Sequence, residues 1–277
     1  GTRFLPVTRS IPKVMIPVLD KPAIHYVVEE AALAGIEHIV FVITHGQEAV
    51  GRYFDRIPEL EHTLERRGEV SILEQMLAIS DMAEISYVYQ KQQLGLGHAV
   101  LTAKAAIGNE PFAVFLPDDL ILSESPTIGP MIDVFSKYEA SVVAVKLVPD
   151  HQVANLGIVD HRPIGHDLSE IVDMIEKPVV EEAPSNLAII GRYVLTPQVF
   201  DEIENSPPGA LGEIQLTDAI RALLSKQKAY GYKFPGVHFD VGTPVGLLRA
   251  SLHAALQRDD ISDEIRDWVK TYNLGFM

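Results

Sequence analysis

Short β-branched runs, each preceded by an amphipathic segment, are the feature that most limits what this chain can fold into. His38-Ile39-Val40-Phe41-Val42-Ile43 is almost continuously apolar and follows a segment from Pro22 to Ala34 that ends at Gly35. Strands buried on both faces read as such runs, and parallel neighbours need a crossover helix between them, so the rhythm predicts a parallel sheet. It recurs in Ile85 to Tyr89, a helix from about His98 to Ile107 and the strand Ala113 to Leu116, then in a helix from Thr127 to Tyr138 and a strand from Ser141 to Val148.

Beyond Pro149 the pattern shortens to extended pieces at Gly157–Val159, Ile171–Ile175 and Leu187–Leu195. A helix from Glu213 to Leu224 and a strand from Val237 to Asp240 follow, and helices from Pro244 to Tyr272 close the chain. Residues 59–80, rich in Leu, Glu and Arg, read as a helical insertion. The expected class is α/β: a Rossmann-like mixed sheet flanked by helices, with a β elaboration and C-terminal helices. Residues 1–150 are expected to form the α/β core, 151–243 an elaboration within the same domain, and 244–277 a helical segment. A doubly wound sheet usually begins with a strand feeding a Gly-rich turn. This sequence opens instead on the loop-like Gly1-Thr2-Arg3, so a central strand is expected upstream of it.

Composition narrows the chemistry. Among 277 residues there is no cysteine, which removes disulfides, thiolate metal sites and thiol nucleophiles, leaving oxygen or imidazole as metal ligands. A net charge of −15 opposes nucleic acid and anionic membranes, and no apolar run reaches the length of a membrane span. A cytoplasmic protein is expected. A polyanionic substrate requires a local knot of Lys and Arg, helped by a divalent cation.

Five segments could carry such chemistry. Gly1-Thr2-Arg3, followed by Pro12-Lys13, offers a loop with two cations for a triphosphate, although a Lys between prolines also reads as solvated surface. Leu116-Pro117-Asp118-Asp119 ends an apolar strand, where α/β sheets place ligands. Asp118 is the metal-ligand candidate and Asp119 reads as a turn or cap. Asp240, in Phe239-Asp240-Val241-Gly242-Thr243-Pro244, is a second strand-end carboxylate, with Thr243 the more natural cap for the helix that starts at Pro244. Glu176 and Lys177 would point to opposite faces of a strand unless the chain kinks, which Pro178 favours; an exposed ion-paired edge is the competing reading. Gln90-Lys91-Gln92-Gln93-Leu94-Gly95-Leu96-Gly97-His98 offers an amide to a pyrimidine edge and glycines for close backbone approach. Val100 stands in place of the third glycine of a dinucleotide fingerprint, so an NAD-dependent reading fits poorly. The ten histidines lack metal-ligand spacing, and His98 reads as a helix-start residue.

In this order the segments resemble the sugar nucleotidylyltransferases, whose signature runs Gly-x-Gly-Thr-Arg, Pro-Lys, a strand-end Asp and Glu-Lys-Pro. Gly1-Thr2-Arg3, Pro12-Lys13, Asp118 and Glu176-Lys177-Pro178 match it across nearly the whole chain. Tyr26-Val27-Val28-Glu29-Glu30, Gly95 to Val100, Gly191-Arg192-Tyr193-Val194-Leu195 and Glu213 to Ile220 resemble the bacterial UTP-glucose-1-phosphate uridylyltransferase branch. The resemblance implies uridylyl transfer from UTP to glucose 1-phosphate, Mg²⁺ as cofactor and a homo-oligomer, dimer or tetramer. It implies that Arg3 and Lys13, with Gly1 and Thr2, hold the UTP phosphates, that Gln90 and the Gly95 backbone read uracil, and that Asp118 and Asp240 bind Mg²⁺. Gly157, Glu176 and the backbone near Ile189 would hold glucose, and Lys177 its phosphate. The family's Ala-Ala-Gly before Gly1 is not in this sequence, and Leu156 stands where members often have Tyr. Alternatives are the same transfer with dTTP or another hexose 1-phosphate, and a non-catalytic sugar-nucleotide sensor. Trp268 and Tyr272 read equally as an interface or as packing on their own domain.

Overall fold

A computed structural model describes residues 2–209 and 212–271. Strands β1 (Pro17–Val18) and β2 (Lys21–Pro22) lead into α1 (Ala23–Leu33), then β3 (His38–Ile43), α2 (Ala49–Phe54), α3 (Pro58–Arg67), α4 (Val70–Ser80) and β4 (Glu84–Tyr89). There follow α5 (Leu96–Thr102), α6 (Lys104–Ile107), β5 (Phe112–Phe115), β6 (Asp119–Leu122), α7 (Ile128–Tyr138), β7 (Ser141–Leu147) and α8 (Asp150–Val153). The rest comprises β8 (Gly157–Pro163), β9 (Leu168–Glu176), β10 (Leu187–Leu195), α9 (Val199–Asn205), α10 (Leu216–Leu223), β11 (Ala229–Lys233), β12 (Val237–Asp240), α11 (Pro244–Leu256) and α12 (Ser262–Thr271).

The main sheet has the order β5-β10-β7-β11-β9-β8, so segments before and after residue 150 interleave in one sheet. Strand β10 is buried along its whole length: it is apolar apart from Arg192, whose charge is paired inside the fold. Leu187, Ile189, Tyr193 and Leu195 enter one core cluster under α9 and α10, whereas Ile190 and Val194 enter another under α7. The expected parallel pairing is found in β3–β4 and β7–β11, and the other ladders are antiparallel. Among the described residues β3–β4 shares no ladder with the main sheet.

Several boundaries depart from expectation. The helix expected from His98 to Ile107 breaks into α5 and α6 at Ala103, and the 59–80 insertion is two helices that turn at Gly68. Helix α10 starts later than Glu213 because Ile214 is held elsewhere: its N–H donates to Leu94 O at 2.7 Å and its carbonyl accepts from Gly97 N at 2.8 Å. Strands β6 and β11 and helices α2 and α9 were not expected. Strand β11, Ala-Tyr-Gly-Tyr-Lys, is short and contains glycine, and is extended because it lies between β7 and β9. Trp268 on α12 is 52% exposed, and Tyr272 lies outside the described residues.

Candidate active site

The phosphate-end candidates come together through a small apolar cluster. Val18, Ala23, Leu120, Val241 and Ala250 pack into one another. Their chain neighbours are therefore adjacent: the short turn Lys13–Met15, the Pro117-Asp118 turn and the end of β12. Strands β6 and β12 are antiparallel with Asp119 opposite Asp240, and Val241 N donates to Asp118 O at 2.8 Å. Two carboxylates far apart in sequence thus leave paired strand ends side by side. Lys13 Nζ donates to Asp118 Oδ2 at 2.5 Å. Burial, with the charges of Asp119 and Asp118, pushes the Asp240 carboxyl above its usual range, against the opposing pull of the Gly242 N–H and the Arg3 guanidinium. Lys13 is therefore paired with Asp118 next to Asp240, and the Arg3 guanidinium is near enough to act on Asp240 through its charge. Thr2 is exposed in the same short turn as Arg3, and Gly1 lies outside the described residues. Thr243 caps α11 by accepting from Gly246 N at 3.1 Å, so Asp240 is free of that task.

Asp119 closes the turn expected from sequence, its N–H donating to Leu116 O at 3.2 Å, but its side chain does more than cap. It starts β6, its Oδ1 lies 2.7 Å from His238 Nε2, and its Oδ2 accepts from Gly191 N at 3.2 Å. The second contact exists because the β10–β7 register shifts between Ile190 and Tyr193, a bulge that swings Gly191 out of the ladder toward β6. A Cβ at Gly191 would lie 2.5 Å from Asp119 Oδ2 and 2.6 Å from Leu116 Cβ, so any side chain here forces these neighbours to shift.

The sugar-end candidates form a second cluster. Gly157 lies opposite Glu176 in the β8–β9 ladder. The expected kink occurs at Lys177, whose φ of +48° is left-handed; it turns the lysine back so that Nζ lies 3.3 Å from Glu176 Oε1. Thr217, at the start of α10, donates to Glu176 Oε2 at 2.7 Å, a contact with no signal in the sequence. Ile189 flanks Gly157 with its side chain while its main chain runs in the β7 ladder. Leu156 turns away into a separate apolar cluster, and its carbonyl accepts from Lys177 N at 3.0 Å. No ion pair joins this cluster to Lys13 and Asp118 among the described residues, and the buried Tyr193 lies between Asp119 and Glu176 as a neutral phenol. Burial, with Asp119 and Glu176 within reach, pushes its phenol upward.

The base-end candidates form a third cluster. Gln90 N donates to Ile43 O at 2.8 Å, extending the β3–β4 ladder by one bond and fixing where the side chain starts. Gln90 Nε2 then lies 2.9 Å from His98 Nδ1 on α5. Gly95 has φ of +104°, and a Cβ there would meet Ile214 O at 2.7 Å, so packing against the 213–215 strip already demands glycine. That strip runs directly into Thr217, which ties the base and sugar ends together.

Among the described residues no group of three or more His, Asp or Glu side chains could hold a metal ion unaided. Residues 1–257 match the family of nucleotidyl transferases. The UTP–glucose-1-phosphate uridylyltransferase of Staphylococcus epidermidis is 45% identical over 274 residues, 99% of this chain and 95% of that protein. The structure of a UTP-bound UGPase from Acinetobacter baumannii aligns at 41% identity with a TM-score of 0.90, over 98% of this chain and 95% of that one. A UDP-glucose pyrophosphorylase complexed with UDP-glucose aligns at 41% identity and a TM-score of 0.84, over 93% and 96%. The chain belongs to the nucleotidyl transferase family, in the branch of the UTP–glucose-1-phosphate uridylyltransferases.

Proposed function

We propose that the chain transfers a uridylyl group from UTP to glucose 1-phosphate. A phosphate oxygen of glucose 1-phosphate attacks the α-phosphorus of UTP, the bond to the bridging oxygen breaks, and pyrophosphate leaves with the electron pair. The nucleophile is already an anion at neutral pH, so no general base is needed. The obstacle is repulsion between two polyanions, and the observation that carries the reading is the pairing of Lys13 with Asp118 beside Asp240 in an acidic protein. Arg3 and Lys13, with Gly1 and Thr2, hold the UTP phosphates and offset charge as it shifts to the leaving group. Gln90 and the Gly95 backbone hold uracil. Glu176, braced by Thr217, accepts from glucose hydroxyls beside Gly157 and Ile189, and Lys177 meets the sugar phosphate.

Asp118 and Asp240 suit a hard divalent cation such as Mg²⁺: both donors are oxygens, Asp240 is crowded by like charge, and substrate phosphates can complete the coordination. When bound, Mg²⁺ would neutralise and polarise the phosphoryl oxygens. The same reading carries a homo-oligomer, dimer or tetramer. No described helix is long and apolar enough to cross a membrane.

Pyrophosphate release with UTP, dTTP, ATP and CTP against glucose and galactose 1-phosphates, with and without Mg²⁺, tests the reading. UTP with glucose 1-phosphate should be fastest and should depend on the metal. A preference for dTTP would move the chain to the thymidylyl reaction, and UDP-glucose binding without turnover would make it a sensor.

A further inference from the structure

We infer that Ser251 and Arg258 are positioning residues for the transfer: they grip the Leu19-Asp20 turn and so hold Lys13 in place beside the Asp118 and Asp240 carboxylates. This rests on the proposed reading that Lys13 meets the UTP phosphates. Strands β1 and β2 pair Val18 with Lys21, which leaves Leu19 and Asp20 as a two-residue turn. Leu19 has φ of +61°. A branched side chain in the left-handed region crowds its own backbone, so the turn persists only where its surroundings hold it.

Three consecutive residues are held there by side chains from elsewhere in the chain. Tyr26 on α1 donates its hydroxyl to Val18 O at 3.0 Å. Burial, with the charges of Asp20 and Glu29, pushes that phenol up to about 12, so it stays a donor. Leu19 N donates to Ser251 Oγ on α11 at 3.2 Å. Arg258, just beyond α11, donates through Nη1 to Asp20, while its Nε and Nη2 donate to Asp260 at 2.9 and 2.5 Å. An exposed ion pair contributes little to stability. Its use here is geometric: the two bonds to Asp260 fix the planar guanidinium, and its remaining corner marks one position for Asp20.

Little slack separates this turn from Lys13. Val18 is 0% exposed and packs with Leu120, Val241 and Ala250. Upstream, Ile16 N donates to Lys13 O at 3.2 Å, Met15 N donates to Pro12 O at 2.9 Å, and Ile16 O accepts from Ala23 N at 3.3 Å. Helix α11 begins four residues after Asp240, carries Ser251 in its second half and ends just before Arg258. The cation and the carboxylates keep their spacing because both are tied to this one helix.

The test measures kcat with saturating UTP and glucose 1-phosphate in the whole enzyme, with thermal unfolding as the check on folding. Ser251→Ala combined with Arg258→Ala should lower kcat roughly tenfold, within the loss of about 10²-fold that a 1 Å misplacement can bring. In a Lys13→Ala background the same pair of changes should add less than about twofold, because the group they position is gone. Adding Leu19→Gly to the Ser251→Ala, Arg258→Ala variant should recover most of the loss, since glycine adopts the left-handed turn without strain. Unchanged kcat in the paired variant, the full further loss in the Lys13→Ala background, or no recovery with Leu19→Gly overturns the inference. If the paired variant melts below the assay temperature, Ser251→Ala alone is put through the same comparisons and read in the same way. If Lys13→Ala itself leaves kcat unchanged, the assignment of Lys13 to the phosphates fails and the inference fails with it; a loss in Lys13→Ala with none in the paired variant rejects the inference alone.

Discussion

Lys13 illustrates how little a single residue means before its neighbours are known. Between two prolines it reads equally as solvated surface, and in the fold its ammonium sits on Asp118 at 2.5 Å next to a second carboxylate. A charge fixed there is preorganised for a phosphoryl transfer transition state, so Lys13→Ala should lower kcat by roughly 10²-fold or more. Unchanged turnover in a variant with wild-type melting behaviour would remove Lys13 from the reaction. Asp118 was legible because it is the first residue to leave an apolar strand. Asp119 reads as a turn or cap residue and does close a turn, but the partners of its carboxylate, Gly191 and His238, lie on strands that only folding brings to it. Thr217 was missed for the same reason.

At the scale of elements, the site depends on one irregularity in an otherwise regular strand. Strand β10 is nine residues of buried chain, and its bulge at Gly191 aims a backbone N–H at the Asp119 carboxylate and gives its carbonyl to Leu116 N at 2.9 Å. Gly191→Ala drives a methyl group into Asp119 and Leu116, an overpacking that should cost about 1–3 kcal/mol of stability. Because the displaced turn carries Asp118, kcat should fall together with the urea midpoint. A variant with wild-type kinetics and stability would show that the turn does not need this contact. The sequence marks Gly191 within a block that resembles the family, but nothing in the strand's periodicity says where a bulge must fall. Periodicity did find β3, β4, β7, β10 and α1. It failed at β6 and β11, which are four and five residues long and extended only because a neighbouring strand holds them.

Across the whole molecule, a buried ion pair ties the layers to the site. Arg192 is 0% exposed; its Nε and Nη2 donate to Glu30 Oε2 at 2.9 and 2.8 Å, and Nη1 donates to Gly191 O at 2.9 Å and Leu116 O at 3.3 Å. Glu30 Oε1 in turn accepts from Ile128 N at 3.2 Å, so α1, α7, β10 and the site turn share one network. Removing one partner strands the other charge. Arg192→Met should therefore lose roughly 3–5 kcal/mol in chemical denaturation, and adding Glu30→Leu should restore part of it. A double variant no better than Arg192→Met would mean that the stranded carboxylate is not the source of the loss. The sequence by itself determined the α/β class, most of the longer elements and the residue types able to neutralise a polyanion, because hydrophobic period and motif order are local properties. Only the tertiary structure decided that Lys13, Asp118 and Asp240 share one strand-end corner, that Glu176 and Lys177 turn to one side, and that Gln90 meets His98. Those contacts join residues far apart along the chain or depend on a single left-handed turn, and such distances are set by packing, which no local pattern encodes.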